Sequence, residues 1–237
     1  MKIAVISDTH LGCGGKTDRF GHDEQAFHRF LDALEEAADA VVLLGDVLDT
    51  HHGTVPLAFF REVRVVRQVH AGLVDRLLGG RYRFVHGNHD ACFRGLPGVA
   101  EELLLERDGM RVLMLHGHQF DRLIATSETL CAVGNWAAGM AQRAGMKRAL
   151  AFLDWFDDFA NGMTRDRSEL YREKALALAE RRGVDLVVLA HTHRPDRAEA
   201  GGRGYLNVGC CLQGRFEYGL IDTRERSFEA RTWQEQG

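Results

Sequence analysis

The sequence predicts an α/β sandwich in a single domain, and three observations carry that reading. Short β-branched runs recur along the chain, amphipathic helical stretches separate the first of them, and each run ends in polar residues. With 237 residues, 45% of them hydrophobic, the chain can bury a substantial core, which argues against disorder.

Taken in order, residues 3–7, 40–44, 82–86, 111–116 and 185–190 have the length and composition of buried strands. Between the first two, residues 23–38 place Phe27, Phe30, Leu31 and Leu34 at helical spacing, and residues 56–78 also read as helix. Over residues 119–182 the strand signal disappears. A stretch rich in Ala, Leu, Met, Arg and Glu predicts several helices there, punctuated by Gly134, Gly145 and Gly162, as a helical cap inserted into the domain. After His193, residues 204–208, 218–222 and 227–233 return to short strands with Gly-rich turns, as in a terminal antiparallel set.

A formal net charge of −4 provides no broad basic surface, so nucleic acid is not the expected partner. Any phosphate-binding charge must be local. The apolar start is too short for a signal peptide and no apolar stretch reaches membrane-spanning length, which predicts a cytoplasmic protein. Five cysteines, odd in number and without C-x-x-C spacing, read as free thiols.

The chemistry sits directly after the predicted strands. Asp8 and His10 follow the first, Asp46 and Asp49 the second, and Asn88, His89 and Asp90 the third. His116 ends the fourth, and His191 and His193 follow the fifth. Ligands of α/β sheets collect outside the carboxyl ends of strands, so five segments converge on one place. Carboxylate, amide and imidazole donors without thiolate suit Mn, with Fe, Zn or Ni as alternatives. A donor set this large implies two divalent ions. Such a pair, about 3.5–4 Å apart, activates a water and clamps phosphoryl oxygens. It needs one central carboxylate, for which Asp46 is the candidate. A single Asp-x-His or His-x-His is commonplace on protein surfaces; five such fragments in order are not.

These motifs, Asp8-Thr9-His10, Gly45-Asp46-Val47-Leu48-Asp49, Gly87-Asn88-His89-Asp90, His116 and His191-Thr192-His193, resemble those of the calcineurin-like metallophosphoesterases. The resemblance covers residues 1–116 and 184–237. It implies a four-layer α/β/β/α sandwich with two sheets between helices, and a dinuclear site. It places Asp8, His10, Asp46 and His193 on one ion, and Asp46, Asn88, His116 and His191 on the other, with Asp46 as bridge. His89 would stand near the leaving-group oxygen, oriented by Asp49. Ala190 stands where a Gly commonly precedes the His-Thr-His.

Within that superfamily, the helical segment after His116 and the ending from Gly183 through Tyr205-Leu206-Asn207-Val208-Gly209 resemble the UDP-2,3-diacylglucosamine hydrolases. Those hydrolases carry Arg at the position of His89 and an acidic residue at that of His118. A small-molecule or lipid-linked phosphoester is the expected substrate, and an aromatic stripe of Phe152, Trp155, Phe156 and Phe159, near Trp136, is a candidate for a lid with a groove for acyl chains or for peripheral membrane contact. The same stripe would serve to pack the cap helices together. Arg143, Lys147, Arg148, Arg165 and Arg167 are candidates for holding a nucleotide diphosphate, against the commoner solvated helix face. His51 and His52, just past the Asp46–Asp49 loop, are candidates for lining the substrate mouth, against the commoner surface loop imidazole. Two rival functions share these motifs: a DNA exonuclease, because Ser7–Gly12 with Asp18 and Arg19 also resembles double-strand-break repair nucleases, and a non-catalytic metal-binding scaffold.

Overall fold

The computed structural model describes residues 1–121, 124, 126–146 and 167–235. One sheet has six strands in the order β11-β10-β1-β2-β3-β4, comprising β1 (Lys2–Ile6), β2 (Ala40–Leu44), β3 (Arg83–Val85), β4 (Val99–Ala100), β10 (Glu217–Asp222) and β11 (Ser227–Thr232). The second has five in the order β5-β6-β7-β9-β8, comprising β5 (Glu102–Arg107), β6 (Met110–Leu115), β7 (Leu186–Leu189), β8 (Asp196–Ala200) and β9 (Arg203–Asn207). Helices α1 (Glu24–Ala37), α2 (Phe59–Val69) and α3 (Ala71–Leu78) belong with the first sheet, and α5 (Arg167–Arg182) with the second. Helix α4 (Glu128–Arg143) reaches the loops after β1 and β2. None of the described helices is long and apolar enough to cross a membrane.

Side-chain alternation along the strands produces the layers. On β1 and β2, Ala4, Ile6, Val41 and Leu43 turn toward Phe27, Phe30, Leu31 and Leu34 of α1. Their neighbours Ile3, Val5, Val42 and Leu44 turn the other way, into an inter-sheet core with Val112, Met114, Leu186, Val188 and Leu206. A third cluster sets Leu113, Leu115, Val187, Leu189 and Tyr205 against Tyr171, Ala175 and Leu178 of α5. Strands buried on both faces read as unbroken apolar runs. The expected four-layer sandwich is therefore the observed one.

Helix α1 starts where Asp23 caps it, its side chain accepting from Ala26 N at 2.9 Å. The single helix expected over 56–78 is broken at His70, whose backbone leaves the helical region at φ −123° and ψ 41°. Its ring faces two carboxylates from other segments. His70 Nδ1 meets Glu24 Oε1 at 2.5 Å, and Nε2 lies 3.7 Å from Asp18 Oδ2, an ion pair rather than a hydrogen bond.

Three strands were not anticipated, β4, β5 and β8. Asp108 and Gly109 join β5 to β6, and both have positive φ, 52° and 72°; Gly201 and Gly202 do the same between β8 and β9, at 57° and 73°. Such pairs match the twist of a tight hairpin. Gly134 does not punctuate: it lies inside α4. Helix α5, the last part of the expected 119–182 insertion, packs as a layer of the sandwich. Phe152, Trp155, Phe156, Phe159, Gly162, Lys147, Arg148 and Arg165 lie outside the described residues.

Phe30 is fully buried against Phe27, Phe216, Tyr218 and Trp233, so it ties α1 to the C-terminal strands. Phe30→Ala should cost about 3–5 kcal/mol of stability in denaturant unfolding. His70 supplies a pH test. The nearby carboxylates, Asp18 first and then Glu24, outweigh burial and raise its pKa. A raised folded pKa gives stability that is fully present below the unfolded value and lost as pH rises through the folded one. Between about pH 6 and pH 9 the wild type should therefore lose more stability than His70→Asn.

Candidate metal centre

The loops after β1, β2, β3, β6 and β7 meet at one end of the sandwich and bring the predicted donors together. The loops after β1 and β2 run side by side. Asp8 N bonds Gly45 O at 3.1 Å, His10 N bonds Asp46 O at 3.0 Å and Asp49 N bonds Leu11 O at 2.9 Å. Sequence-distant side chains are thus fixed by backbone pairing rather than by each other.

Among the described residues three donor groups result; one, His10 with Asp49 and His89, lies beside the two that hold the predicted ligands. Asp8, His10 and His193 offer donor atoms close enough for one cation: His193 Nε2 lies 3.0 Å from Asp8 Oδ1 and 3.3 Å from His10 Nε2. Asp46, His116 and His191 form the second, with His116 Nε2 3.3 Å from Asp46 Oδ2. Asp46 Oδ2 also lies 3.8 Å from His10 Nε2, which puts its carboxylate between the clusters. Asp8, His10, Asp46 and His116 are all buried.

The donor set fits a metal. His116 Nδ1 donates to Leu44 O at 2.7 Å, which orients the ring and turns Nε2 toward Asp46. Buried His116 Nε2, His191 Nε2 and Asn88 Oδ1 find no hydrogen-bond partner among the described residues. Buried acceptors left without a donor are costly unless a cation serves them. Electrostatics agree. Burial works against charge on His116, yet Asp46 and Asp8 outweigh it and push its pKa up to about 10. Burial would raise the Asp8 carboxyl, but the surrounding imidazoles, His193 first, hold it well below the usual range; the same opposition, with His116 first, holds Asp46 down. The Asp8 and Asp46 carboxylates call for positive charge beside them, while burial lowers the pKa of His10 and His191, keeping them neutral donors.

Backbone conformation marks the same residues. Among the described residues, nine non-glycine positions have positive φ, and five of them are Asp8, His10, Asp46, His191 and His193. Such strain persists where a site requires it. Ala190 is not among these positions, so Ala serves there without conformational cost.

His89 sits beside the clusters, its ring 4.7 Å from that of His10. Its Nδ1 donates to Asp49 Oδ1 at 3.1 Å, and Thr50 Oγ1 donates to its carbonyl. Burial opposes its charge, but Asp46 and Asp49 prevail and its pKa is raised. Asp90, the third polar residue of that loop, takes a structural place. Its oxygens accept Gly87 N at 2.6 Å and Val47 N at 2.7 Å, tying two donor loops together, while burial and then Asp46 push its pKa up to about 7.

A profile of the calcineurin-like phosphoesterases matches residues 1–195. The chain belongs to that family. Calcineurin-like phosphoesterases are metal-dependent, and this one is a hydrolase of phosphoester or pyrophosphate bonds. Its curated relatives include the UDP-2,3-diacylglucosamine hydrolases of Cellvibrio japonicus, 28% identical over 83% of this chain and 84% of that one, and of Shewanella sp. strain ANA-3, 26% identical over 82% and 83%. Among solved structures, an archaeal phosphodiesterase aligns over 98% of this chain and 100% of its own, at 17% identity and a TM-score of 0.46.

Several residues of this phosphoesterase site escape a reading by sequence. His51 and His52, expected on the surface, are not there: His51 is buried, its ring 4.4 Å from that of His89, and His52 Nδ1 meets Asp49 Oδ2 at 2.6 Å. Asn207 Nδ2 donates to Ala190 O at 2.9 Å and to Thr192 Oγ1 at 3.1 Å, bracing the His191–His193 loop. It is a polar residue ending a strand, the same signal that finds the donors. Asp121 Oδ2 lies 3.6 Å from His191 Nε2 and accepts from Arg167 at 2.7 Å. Arg167 and Arg143 are both engaged within the protein rather than presented to a diphosphate.

Gly87 carries a sharp test. A Cβ on it would collide with Asp46 Oδ1 and lie 2.6 Å from Asp46 N. Gly87→Ala should release bound metal, measured by elemental analysis, and lower the melting temperature. Gly72→Ala, in α3 with open space around it, should do neither.

Proposed function

We propose that this chain hydrolyses a phosphate ester or phosphoanhydride at a dinuclear centre, and that its substrate class is a lipid-linked nucleotide pyrophosphate like that named for its relatives. The observation that carries the proposal is the pair of facing clusters, Asp8/His10/His193 and Asp46/His116/His191, with Asn88 Oδ1 unpartnered beside them. Asp8, His10, Asp46 and His193 would hold one ion; Asp46, Asn88, His116 and His191 the other. The chemistry such ions would supply is a lowered pKa of a bound water and neutralisation of phosphoryl charge. Mn is the ion we assign, on the mixed carboxylate, amide and imidazole donors.

The remaining steps fall to the chain's own side chains. With Nδ1 bonded to Asp49, His89 keeps Nε2 for the substrate. Near the departing oxygen, a protonated Nε2 donates its proton as the P–O bond breaks, and Asp49 stabilises the imidazolium before transfer. The backbone N–H of His89 donates to Asp46 Oδ1 at 2.8 Å, so the proton donor and the central carboxylate keep a fixed separation. The fold keeps these groups buried, where such interactions are strongest.

Hydrolysis of a Mn-supplemented panel tests this reading: an aryl phosphomonoester, an aryl phosphodiester, UDP-diacylglucosamine and linear DNA. Asp46→Asn should lose bound metal and at least about a hundredfold in turnover. His89→Asn should retain metal and lose about 10²–10⁴-fold. Preference for the lipid nucleotide supports the substrate class. Turnover of simple esters alone removes it, and processive digestion of DNA replaces it with the nuclease.

A further inference from the structure

The path from α4 to His89 runs through two side chains that the chemistry above leaves unassigned. The Asp49 carboxylate is divided between two imidazoles, Oδ2 accepting from His52 Nδ1 at 2.6 Å and Oδ1 from His89 Nδ1 at 3.1 Å. The backbone N–H of His51 also donates to Oδ1, at 3.1 Å. Turning the carboxylate away from His52 therefore breaks its alignment with His89 as well. A ring oriented by a carboxylate depends on what holds that carboxylate in turn.

His52 is held from the side of α4. Arg143, in the last turn of that helix, donates to the carbonyl oxygen of His52, to that of Gly53 at 3.0 Å and to Thr17 Oγ1 at 3.0 Å. The helix backbone also lies against the imidazole: a Cβ on Gly139 would stand 3.1 Å from His52 Cδ2. One guanidinium thus joins α4, the loop after β1 and the loop after β2. All three of those acceptors are uncharged, so Arg143 serves here as a clamp on backbone and hydroxyl oxygens.

We propose that His52 and Arg143 are positioning residues for the reaction: together they fix Asp49 so that His89 presents Nε2 at a set angle, making turnover depend on the seating of α4. This inference rests on the leaving-group role given to His89 above.

The test uses the full chain loaded with Mn and a series of aryl phosphoesters of graded leaving-group acidity. The variants are His52→Phe, His52→Asn, Arg143→Ala and Arg143→Lys, each also combined with His89→Asn. His52→Phe and Arg143→Ala should lower kcat about tenfold to a hundredfold with KM and metal content unchanged. The loss should grow as the leaving group becomes poorer, a trend that general loosening of the fold would not produce. His52→Asn, whose amide donates from about the position of Nδ1, should recover part of the activity. In the His89→Asn background the same changes should cost nothing further. Equal losses across all leaving groups, or losses that multiply with His89→Asn, would overturn the proposal. Should Arg143→Ala fail to fold, Arg143→Lys and His52→Phe carry the test. Full activity in His89→Asn overturns the leaving-group role and this inference together, whereas a crippled His89→Asn beside a fully active His52→Phe overturns this inference alone.

Discussion

Two carboxylates, Asp8 and Asp46, are buried in one site, and the arrangement around them answers that constraint. Taking such charges out of water costs several kcal/mol each unless opposite charge or donors replace the solvent. Imidazoles of His10, His116 and His193 close in on them, and backbone N–H groups of His89 and His191 add further donors. Room for the Asp46 carboxylate comes from Gly87, and room for His116 from Gly45, whose φ of +86° is itself a glycine conformation. Asp90 is spared the competition because its oxygens are given to backbone.

The loops that hold these donors are short and bent where the donors lie. Left-handed backbone at Asp8, His10, Asp46, His191 and His193 directs side chains sideways from the strand axes, into the shared space beyond the sheets. Continued pairing of the loops, down to the isolated bridge between Leu11 and Leu48, keeps them from relaxing. The sandwich below supplies rigidity, since its strands are packed on both faces. Preorganisation of this kind removes the reorganisation that a flexible site would need at the moment of reaction.

The donors were legible because their signal is local: a polar residue of metal-binding type just past a buried strand. The five strands carrying them have apolar runs on both faces, and their prediction agrees with the structure to within a residue or so at each end. The strands that escaped are of another kind. Residues of β8 are largely exposed and charged, and β5 carries a leucine run between glutamates and an arginine, so neither shows a buried apolar stretch. Their turns, Asp108-Gly109 and Gly201-Gly202, were the readable clue. His52 was missed for a different reason. Its importance comes from a contact with Asp49 and from α4 arriving above it, and the second of these depends on residues about ninety positions away. The contacts of His70 with Asp18 and Glu24, at the break between α2 and α3, are likewise ones that no helical periodicity records.

Strand β1 lies in the interior of its sheet, with β2 on one side and β10 on the other. Made well before residues 217–222, β1 has one open edge until those residues arrive to cover it. The donors follow the same schedule, since residues 8–10 wait for residues 191–193. Contacts this distant in sequence make folding slow and all-or-none, and leave an apolar strand edge exposed during synthesis. The nascent segment between them consequently needs shielding, and metal can be captured in a formed centre only once residues 191–193 have been made.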